Sequence, residues 1–160
     1  MSTQKKLYGL VEGFFSAPRA QWCSEERLRI IRFIIKTCPH LNTYMYCPKN
    51  DPFVRSQWQK RYPSETLLAI KKLSDLCAAN DITFIYGLNP EFDLSTARSD
   101  LMGYLKKIFW KLDQLRSIGI LSFAILYDDI PFAYSVTAKA KSRDDGFTGL
   151  VQAAVLNAVQ

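Results

Sequence analysis

Two adjacent carboxylates, Asp128 and Asp129, are the residues of this chain that most directly suggest chemistry. They follow a buried-strand pattern, where like charges repel and lose hydration, so their proton affinities are driven apart. One could then act as general acid and the other as general base. From spacing alone, an equally good interpretation is that one aspartate caps a turn while the other faces solvent. A magnesium site is a weaker third possibility, because no phosphate-binding loop accompanies the pair.

Lys49 and Gly13 follow two other apolar runs and leave similar alternatives open. A lysine directly after Pro48 is usually an exposed loop charge and only sometimes a ligand for substrate hydroxyls. Gly13, between Glu12 and Phe14, indicates a bulge or a close backbone approach to a ligand, and relief of crowding beside large aromatic side chains explains it equally well.

Other residues of chemical interest favour structural roles. Trp58 and Tyr62 could stack on a sugar from an exposed loop, but packing against the second helix is the favoured interpretation. His40 is the only histidine and stands beside Pro39, which indicates a structural position. The four cysteines form no CxxC pair, so the sequence predicts free thiols in a reducing compartment and neither a zinc site nor a redox motif.

The elements that must position these residues follow a repeated rhythm. Apolar runs recur at intervals of roughly 35 to 40 residues, each followed by a helical pattern, which is typical of βα units. The predicted strands are residues 7–15, 41–47, 82–88 and 122–127. Their nearly continuous apolarity predicts parallel strands covered on both faces. Two architectures remain, a doubly wound open sheet or part of an eight-stranded barrel, and both place functional loops after the carboxyl ends of the strands.

The segments between the predicted strands contain signals for the starts and ends of helices. Ser24 and Ser64 each precede glutamate and are predicted N-caps. The third helix is predicted from a single apolar face, with Gly119 just beyond its end. That face comprises Leu101, Leu105, Ile108, Leu112 and Leu115, and a last helical pattern comprises Phe147, Leu150, Val151 and Ala154.

Composition predicts one packed domain over residues 1–160, with 48% hydrophobic and 22% charged residues. The net charge of +6 is scattered among acidic residues, which favours solvated helix faces over a nucleic-acid surface. No apolar run reaches the ~20 residues that span a bilayer. Lys5 and Lys6 precede an apolar stretch, but Glu12 interrupts it, so a secretion signal is not expected and a cytoplasmic location is predicted.

Four ordered motifs carry a family resemblance. They are residues 9–15 (GLVEGFF), 42–52 (NTYMYCPKNDP), 84–90 (FIYGLNP), and 111–115 (KLDQL) leading to 122–130 (SFAILYDDI). Together they resemble the catalytic barrel of glycoside hydrolase family 84, which comprises O-GlcNAcases and bacterial hyaluronidase-type β-N-acetylglucosaminidases. The resemblance implies a TIM (β/α)8-barrel of which residues 1–160 form the N-terminal part, with about the first four βα units present.

The resemblance also implies a substrate-assisted retaining mechanism without a cofactor or metal. The sugar's 2-acetamido oxygen attacks the anomeric carbon to give an oxazoline, which water then opens. Asp128 would orient the acetamido N–H, and Asp129 would protonate the leaving oxygen and later activate water. Gly13 and Lys49 would hold sugar hydroxyls of an N-acetylglucosamine-containing substrate.

The chain departs from the family at residues 15–19, where FSAPR replaces the usual Tyr-Gly-Arg-Pro-Trp, and lacks the pocket residues that the second barrel half supplies. An alternative to an active glycosidase is therefore an inactive half-barrel remnant or an N-acetylglucosamine-binding oligomer. Open strand edges and apolar surface predict self-association, or a second chain that supplies the other half. No nucleic-acid or membrane partner is expected.

Overall fold

The computed structural model describes residues 6–14, 22–90, 99–127, 153 and 157. Four strands alternate with three helices in these residues. In chain order they are β1 (Gly9–Glu12), α1 (Ser24–Thr37), β2 (Thr43–Tyr46), α2 (Ser64–Ala78), β3 (Thr83–Leu88), α3 (Leu101–Arg116) and β4 (Ser122–Ile125). The predicted last helical pattern lies outside the described residues, apart from the backbone of 153 and 157.

The strands form one parallel sheet in the order β1-β2-β3-β4. A doubly wound sheet reverses its strand order at a switch point, whereas a barrel adds each new strand beside the previous one. The observed order is therefore that of successive strands in a TIM-type barrel. The predicted α/β class and barrel type are confirmed.

The strands are shorter than the apolar runs that predicted them. β1 pairs with β2 only from Gly9 opposite Thr43 to Glu12 opposite Tyr46. Beyond Tyr46 the chain passes through Pro48, which cannot donate a ladder hydrogen bond, and turns away. An apolar run therefore marks the strand, while pairing with the neighbour sets its ends.

The two faces of the sheet differ in burial. Tyr44, Tyr46, Phe84 and Tyr86 alternate along β2 and β3 and are buried in the core beneath the helices. On the opposite face, the Val11 side chain is 55% exposed. Among the described residues, the expectation that both faces are covered is therefore not met at Val11 of β1.

Both predicted N-caps are displaced by one residue. Cys23 is the N-cap of α1, and its backbone N–H donates to Glu26 Oε2 at 2.7 Å, so Ser24 is the first helical residue. Pro63 precedes α2, and Ser64 likewise lies inside the helix. The capping interaction at α1 is set by the glutamate that reaches back, rather than by the serine hydroxyl.

The predicted face of α3 is confirmed. Leu105, Ile108, Leu112 and Leu115 are buried, and Leu101 packs against their cluster. Gly119 adopts a φ of 92° just after the helix, a left-handed conformation that glycine accepts without strain.

The aromatic residues of the loop after β2 belong to the core. Trp58 packs edge-on against Tyr104 of α3 with 5.5 Å between ring centroids, and Tyr62 is also buried. Packing rather than sugar stacking is thus confirmed for both, and the contacts shown for Trp58 and Tyr62 include residues of α3. His40 lies exposed in the turn after α1.

None of the four cysteines forms a disulfide, and this includes Cys38 and Cys47. Burial raises the pKa of Cys77 to about 12, which keeps this thiol protonated and unreactive. Within the described parts of the chain, no helix is both long and apolar enough to cross a membrane.

Candidate functional site

A cleft of about 280 Å³ opens near the carboxyl ends of the strands and contains two of the four predicted site residues. Gly13 and Lys49 both line it, although 36 positions separate them in the sequence. The lining residues are Val11, Gly13, Met45, Cys47, Lys49, Val54, Arg55, Asn89 and Leu126. Asp128 and Asp129 lie outside the described residues and follow Tyr127 directly in sequence.

Gly13 keeps space open in the cleft. A Cβ at this position would lie 3.3 Å from Val11 Cγ1 and 3.4 Å from Cys47 Sγ, so only small shifts would be needed to hold it. Apart from the adjacent residues Glu12 and Phe14, the side chains nearest to that position are therefore not aromatic. A bulge, a close backbone approach to a ligand and relief of crowding beside Phe14 all remain as interpretations of Gly13.

Gly87 has a different role beneath the cleft. A Cβ there would lie 2.6 Å from Cys47 Cβ and 3.1 Å from Leu126 Cδ1. Contacts this short require backbone movement, so a side chain at 87 would force the carboxyl ends of β2, β3 and β4 apart. This glycine allows the strands to converge below the site.

Lys49 is half-buried on the lysine loop, which we define as residues 47–63. Its turn is closed by the backbone N–H of Asp51, which donates to the Pro48 carbonyl at 3.0 Å. Further along, the Asn89 N–H donates to the Val54 carbonyl at 2.9 Å and ties the loop to the end of β3. The expectation of a fully exposed loop charge is therefore wrong for Lys49.

The Asp51 carboxylate is buried under this loop and accepts three hydrogen bonds. Oδ2 accepts from Tyr46 OH at 2.8 Å and Tyr62 OH at 2.7 Å, while Oδ1 accepts from the Phe53 N–H at 2.8 Å. Tyr62 OH also lies 3.0 Å from Tyr86 OH. Burial raises the pKa values of these three tyrosines, and the charge of Asp51 raises them further, so they remain protonated donors.

Helix α3 holds the far end of the lysine loop. The Tyr62 N–H donates to Gln114 Oε1 at 2.9 Å, and Gln114 Nε2 donates to the Tyr62 carbonyl at 3.0 Å. Lys111 Nζ donates to the Lys60 carbonyl at 2.6 Å and lies 4.1 Å from the centroid of the Tyr62 ring. Burial lowers the pKa of Lys111 to about 7, although the charge of Asp51 opposes this shift.

A buried ion pair holds β1 just before Gly13. Arg27 of α1 donates to Glu12 through Nε at 3.0 Å and Nη2 at 2.8 Å, and the Tyr44 hydroxyl also donates to Glu12. Burial lowers the pKa of Arg27, but hydrogen bonds to Glu12 and nearby charges outweigh that effect and raise it overall. Arg27 therefore keeps its charge, and the ion pair fixes α1 against the end of β1.

The end of β4 is also fixed where it leads toward the two aspartates. The Leu126 N–H donates to the Leu88 carbonyl at 2.8 Å, and the Tyr127 hydroxyl lies 3.3 Å from that of Tyr104. Tyr104 in turn donates to the Pro90 carbonyl at 3.2 Å. The last described residues of this strand are thus anchored to β3 and α3.

Sequence reasoning missed most of the supporting polar residues. Arg55 and Asn89 line the cleft and are buried, and only Asn89 had a signal, its position after a predicted strand. The period-two tyrosines of β2 and β3 could have indicated a shared buried face for Asp51 to meet. No group of three or more potential metal-ligating side chains occurs among the residues with described positions.

Comparison with known proteins gives a consistent picture. The sequence matches the family described as beta-N-acetylglucosaminidase over residues 8–160. It is 36% identical over 124 residues to the proteins named "Protein O-GlcNAcase" of Rattus norvegicus and of Mus musculus. That alignment covers 78% of this chain and 13% of each relative, so the chain spans about an eighth of their length.

Two solved structures share the fold. The structure of CpGH84B superposes with a TM-score of 0.70 and 33% identity, covering 79% of this chain and 21% of that one. A mutant of the Thermobaculum terrenum O-GlcNAc hydrolase superposes with a TM-score of 0.77 and 24% identity, covering 96% of this chain and 32% of that one. At this lower identity the second likeness supports the fold alone.

Proposed function

Because this chain belongs to the beta-N-acetylglucosaminidase family, we propose that it forms the N-terminal part of a glycoside hydrolase (β/α)8 catalytic domain. The proposed reaction is retaining hydrolysis of β-linked N-acetylglucosamine from glycoconjugates or O-GlcNAc-modified protein. The observation that carries the proposal is the shared cleft of Gly13 and Lys49, two residues that the family resemblance had assigned to sugar hydroxyls.

In the proposed reaction the sugar supplies its own nucleophile. The 2-acetamido oxygen forms a bond to the anomeric carbon as the glycosidic bond breaks, and the leaving oxygen receives a proton from Asp129. Asp128 orients the acetamido N–H and stabilises its developing charge. Asp129, now a carboxylate, removes a proton from the water that opens the oxazoline, which restores the starting protonation state.

The cleft supports the binding part of this proposal. The backbone at Gly13 can approach a hydroxyl without a side chain in between, and the Lys49 ammonium is a donor to hydroxyl oxygens. The buried ion pair behind β1 and the hydrogen bonds of the lysine loop keep both residues in place. A rigid support of this kind reduces the ordering cost of sugar binding.

The test is hydrolysis of a fluorogenic N-acetyl-β-glucosaminide by the purified chain and by Asp129→Asn. We expect the variant to lose at least about a hundredfold in rate, the usual contribution of general acid–base catalysis. Asp81→Asn is the matched control, since Asp81 lies in an exposed turn at the opposite end of the sheet and has a φ of 58° that asparagine tolerates. A β-glucoside without the acetamido group should not react.

A folded wild-type chain that does not hydrolyse the N-acetyl-β-glucosaminide would contradict the enzymatic proposal. The second candidate, an N-acetylglucosamine-binding oligomer, is favoured by the exposed apolar residues of the edge strand β1 and its approach, Leu7, Tyr8 and Val11. Self-association or a second chain that supplies the other barrel half would cover them. Sugar binding without hydrolysis in a self-associated sample would support this candidate.

We also propose a cytoplasmic location for the chain. The support is the absence of disulfides among its four cysteines, two of them buried, which suits a reducing compartment. Fractionation of cells that produce the full-length protein would test it, and recovery from an oxidising compartment would contradict it.

A further inference from the structure

The lysine loop joins the cleft to the buried layer beneath the helices within four residues. Lys49 lines the cleft, whereas the carboxylate of Asp51, two residues later, meets tyrosines of the core. The hydrogen bond from the Asp51 N–H to the Pro48 carbonyl closes the backbone between them. The position of the Lys49 backbone is therefore coupled to the position of the Asp51 side chain.

The Asp51 side chain is held from three directions. Tyr46 donates from β2, Tyr62 from the end of the lysine loop, and the Phe53 N–H from the loop itself. Asp51 is only 6% exposed, and each of its oxygens accepts at least one hydrogen bond. Burying a carboxylate costs free energy unless such donors meet it, so this arrangement favours one loop geometry over others.

A fixed backbone matters for a lysine more than for a shorter side chain. The four-carbon stem of Lys49 has many rotamers, and its ammonium can be directed to a sugar hydroxyl only if the stem begins at a defined place. A misplacement of about 1 Å at a substrate-positioning group can cost a hundredfold in rate. The geometry of the turn thus limits how accurately the Lys49 ammonium can be directed to a sugar hydroxyl.

We propose that Asp51 is the positioning residue that holds Lys49 at the cleft. Asp51 does not touch the sugar; it secures the turn from below through Tyr46 and Tyr62. The proposal deepens the proposed function, because it rests on Lys49 as a sugar ligand. It goes beyond the proposed function because it assigns the placement of the Lys49 ammonium to a buried carboxylate that lies outside the cleft.

The first test needs no sugar. Asp51→Asn keeps the side-chain volume but replaces one carboxylate oxygen by an NH2 group, which cannot accept a hydrogen bond from the two tyrosines. Limited acetylation with a small reagent, followed by peptide mass spectrometry, compares the amine reactivity of Lys49 with that of exposed Lys36 in the same molecule. We expect the reactivity of Lys49 relative to that of Lys36 to be about threefold or more higher in the variant than in the wild type, because the turn loosens. An unchanged ratio overturns the proposal, whatever the sugar result.

The second test is a double-mutant cycle on affinity for N-acetylglucosamine, measured by NMR titration. Asp51→Asn should weaken binding by about tenfold in the wild-type background and have little effect when Lys49 is already methionine. Equal losses in both backgrounds would show a merely structural role and overturn the proposal. Asp75→Asn, an exposed aspartate on α2, is the matched control and should leave both readouts unchanged.

The two proposals fail in different ways. Loosening of Lys49 together with no sugar binding by the wild-type chain would contradict the proposed function and leave the positioning role supported. If Asp51→Asn does not fold, Tyr62→Phe removes one of the two hydroxyl donors while keeping the aromatic ring, and the same reactivity ratio applies. An unchanged ratio in the folded Tyr62→Phe variant would then overturn the proposal.

Discussion

At the scale of single residues, the neighbourhood of the cleft is built on buried polar side chains with named partners. Asp51 is met by hydroxyls and a backbone N–H, Arg27 by a carboxylate, and Lys111 by a carbonyl and an aromatic ring. Each arrangement offsets a desolvation cost that an apolar side chain would not incur. Their common effect is to define where the loops around the site lie.

Lys111 predicts a specific pH dependence of stability. Its pKa is lowered from 10.5 to about 7 on folding, so between these values the unfolded chain binds a proton that the folded chain does not. The free energy of unfolding should therefore rise as the pH increases through this interval and level off above it. Lys111→Met should abolish that contribution, which amounts to at most about 2 kcal/mol between pH 7.5 and 9.

Guanidinium unfolding of both proteins at the two pH values measures this effect. Lys106→Met is the control, because Lys106 lies on the same helix with an exposed side chain and should keep the wild-type pH dependence. A stability difference between wild type and Lys111→Met that does not change with pH would contradict the prediction.

At the scale of elements, α3 supports both the lysine loop and the end of β4, so its first turn affects the site indirectly. Asp100 caps this helix by accepting from the Gly103 N–H at 2.8 Å. Asp100→Ala should lower the free energy of unfolding by about 1 kcal/mol, the usual loss for an N-cap. Asp113→Ala should change it by less than about 0.5 kcal/mol, because the ion pair of Asp113 with Arg116 is exposed. Thermal unfolding of both variants measures these changes in stability. Equal losses would contradict the assignment of Asp100 as the N-cap of α3.

At the scale of the whole molecule, the described elements leave the inner face and first edge of the sheet accessible. We expect the isolated chain to self-associate through this surface, since exposed edges and apolar side chains favour pairing. Val11→Lys should shift the sedimentation coefficient toward that of a monomer. Phe33→Lys, on the outer surface of α1, is the control and should not shift it. A wild-type chain that sediments as a monomer at all concentrations would refute the prediction.

The sequence by itself determined the order and type of the described elements. Four apolar runs and the helical face of α3 were sufficient, because secondary structure depends on periodicity that local windows contain. The resemblance also directed attention to Gly13 and Lys49, and the rule that loops cluster at the carboxyl ends of parallel strands predicted that they would meet. For Asp128 and Asp129 the assignment stays a prediction from motif and position.

Only the tertiary structure decided what supports the site. Asp51 meets Tyr62, Tyr62 meets Tyr86, and Glu12 meets Arg27, across separations of 11 to 24 residues that carry no local signal. The burial of Trp58 against Tyr104 of α3 has the same origin. A buried hydrogen bond is specified by where two elements pack, and a single sequence gives the composition of each element but not the angle and distance at which they meet.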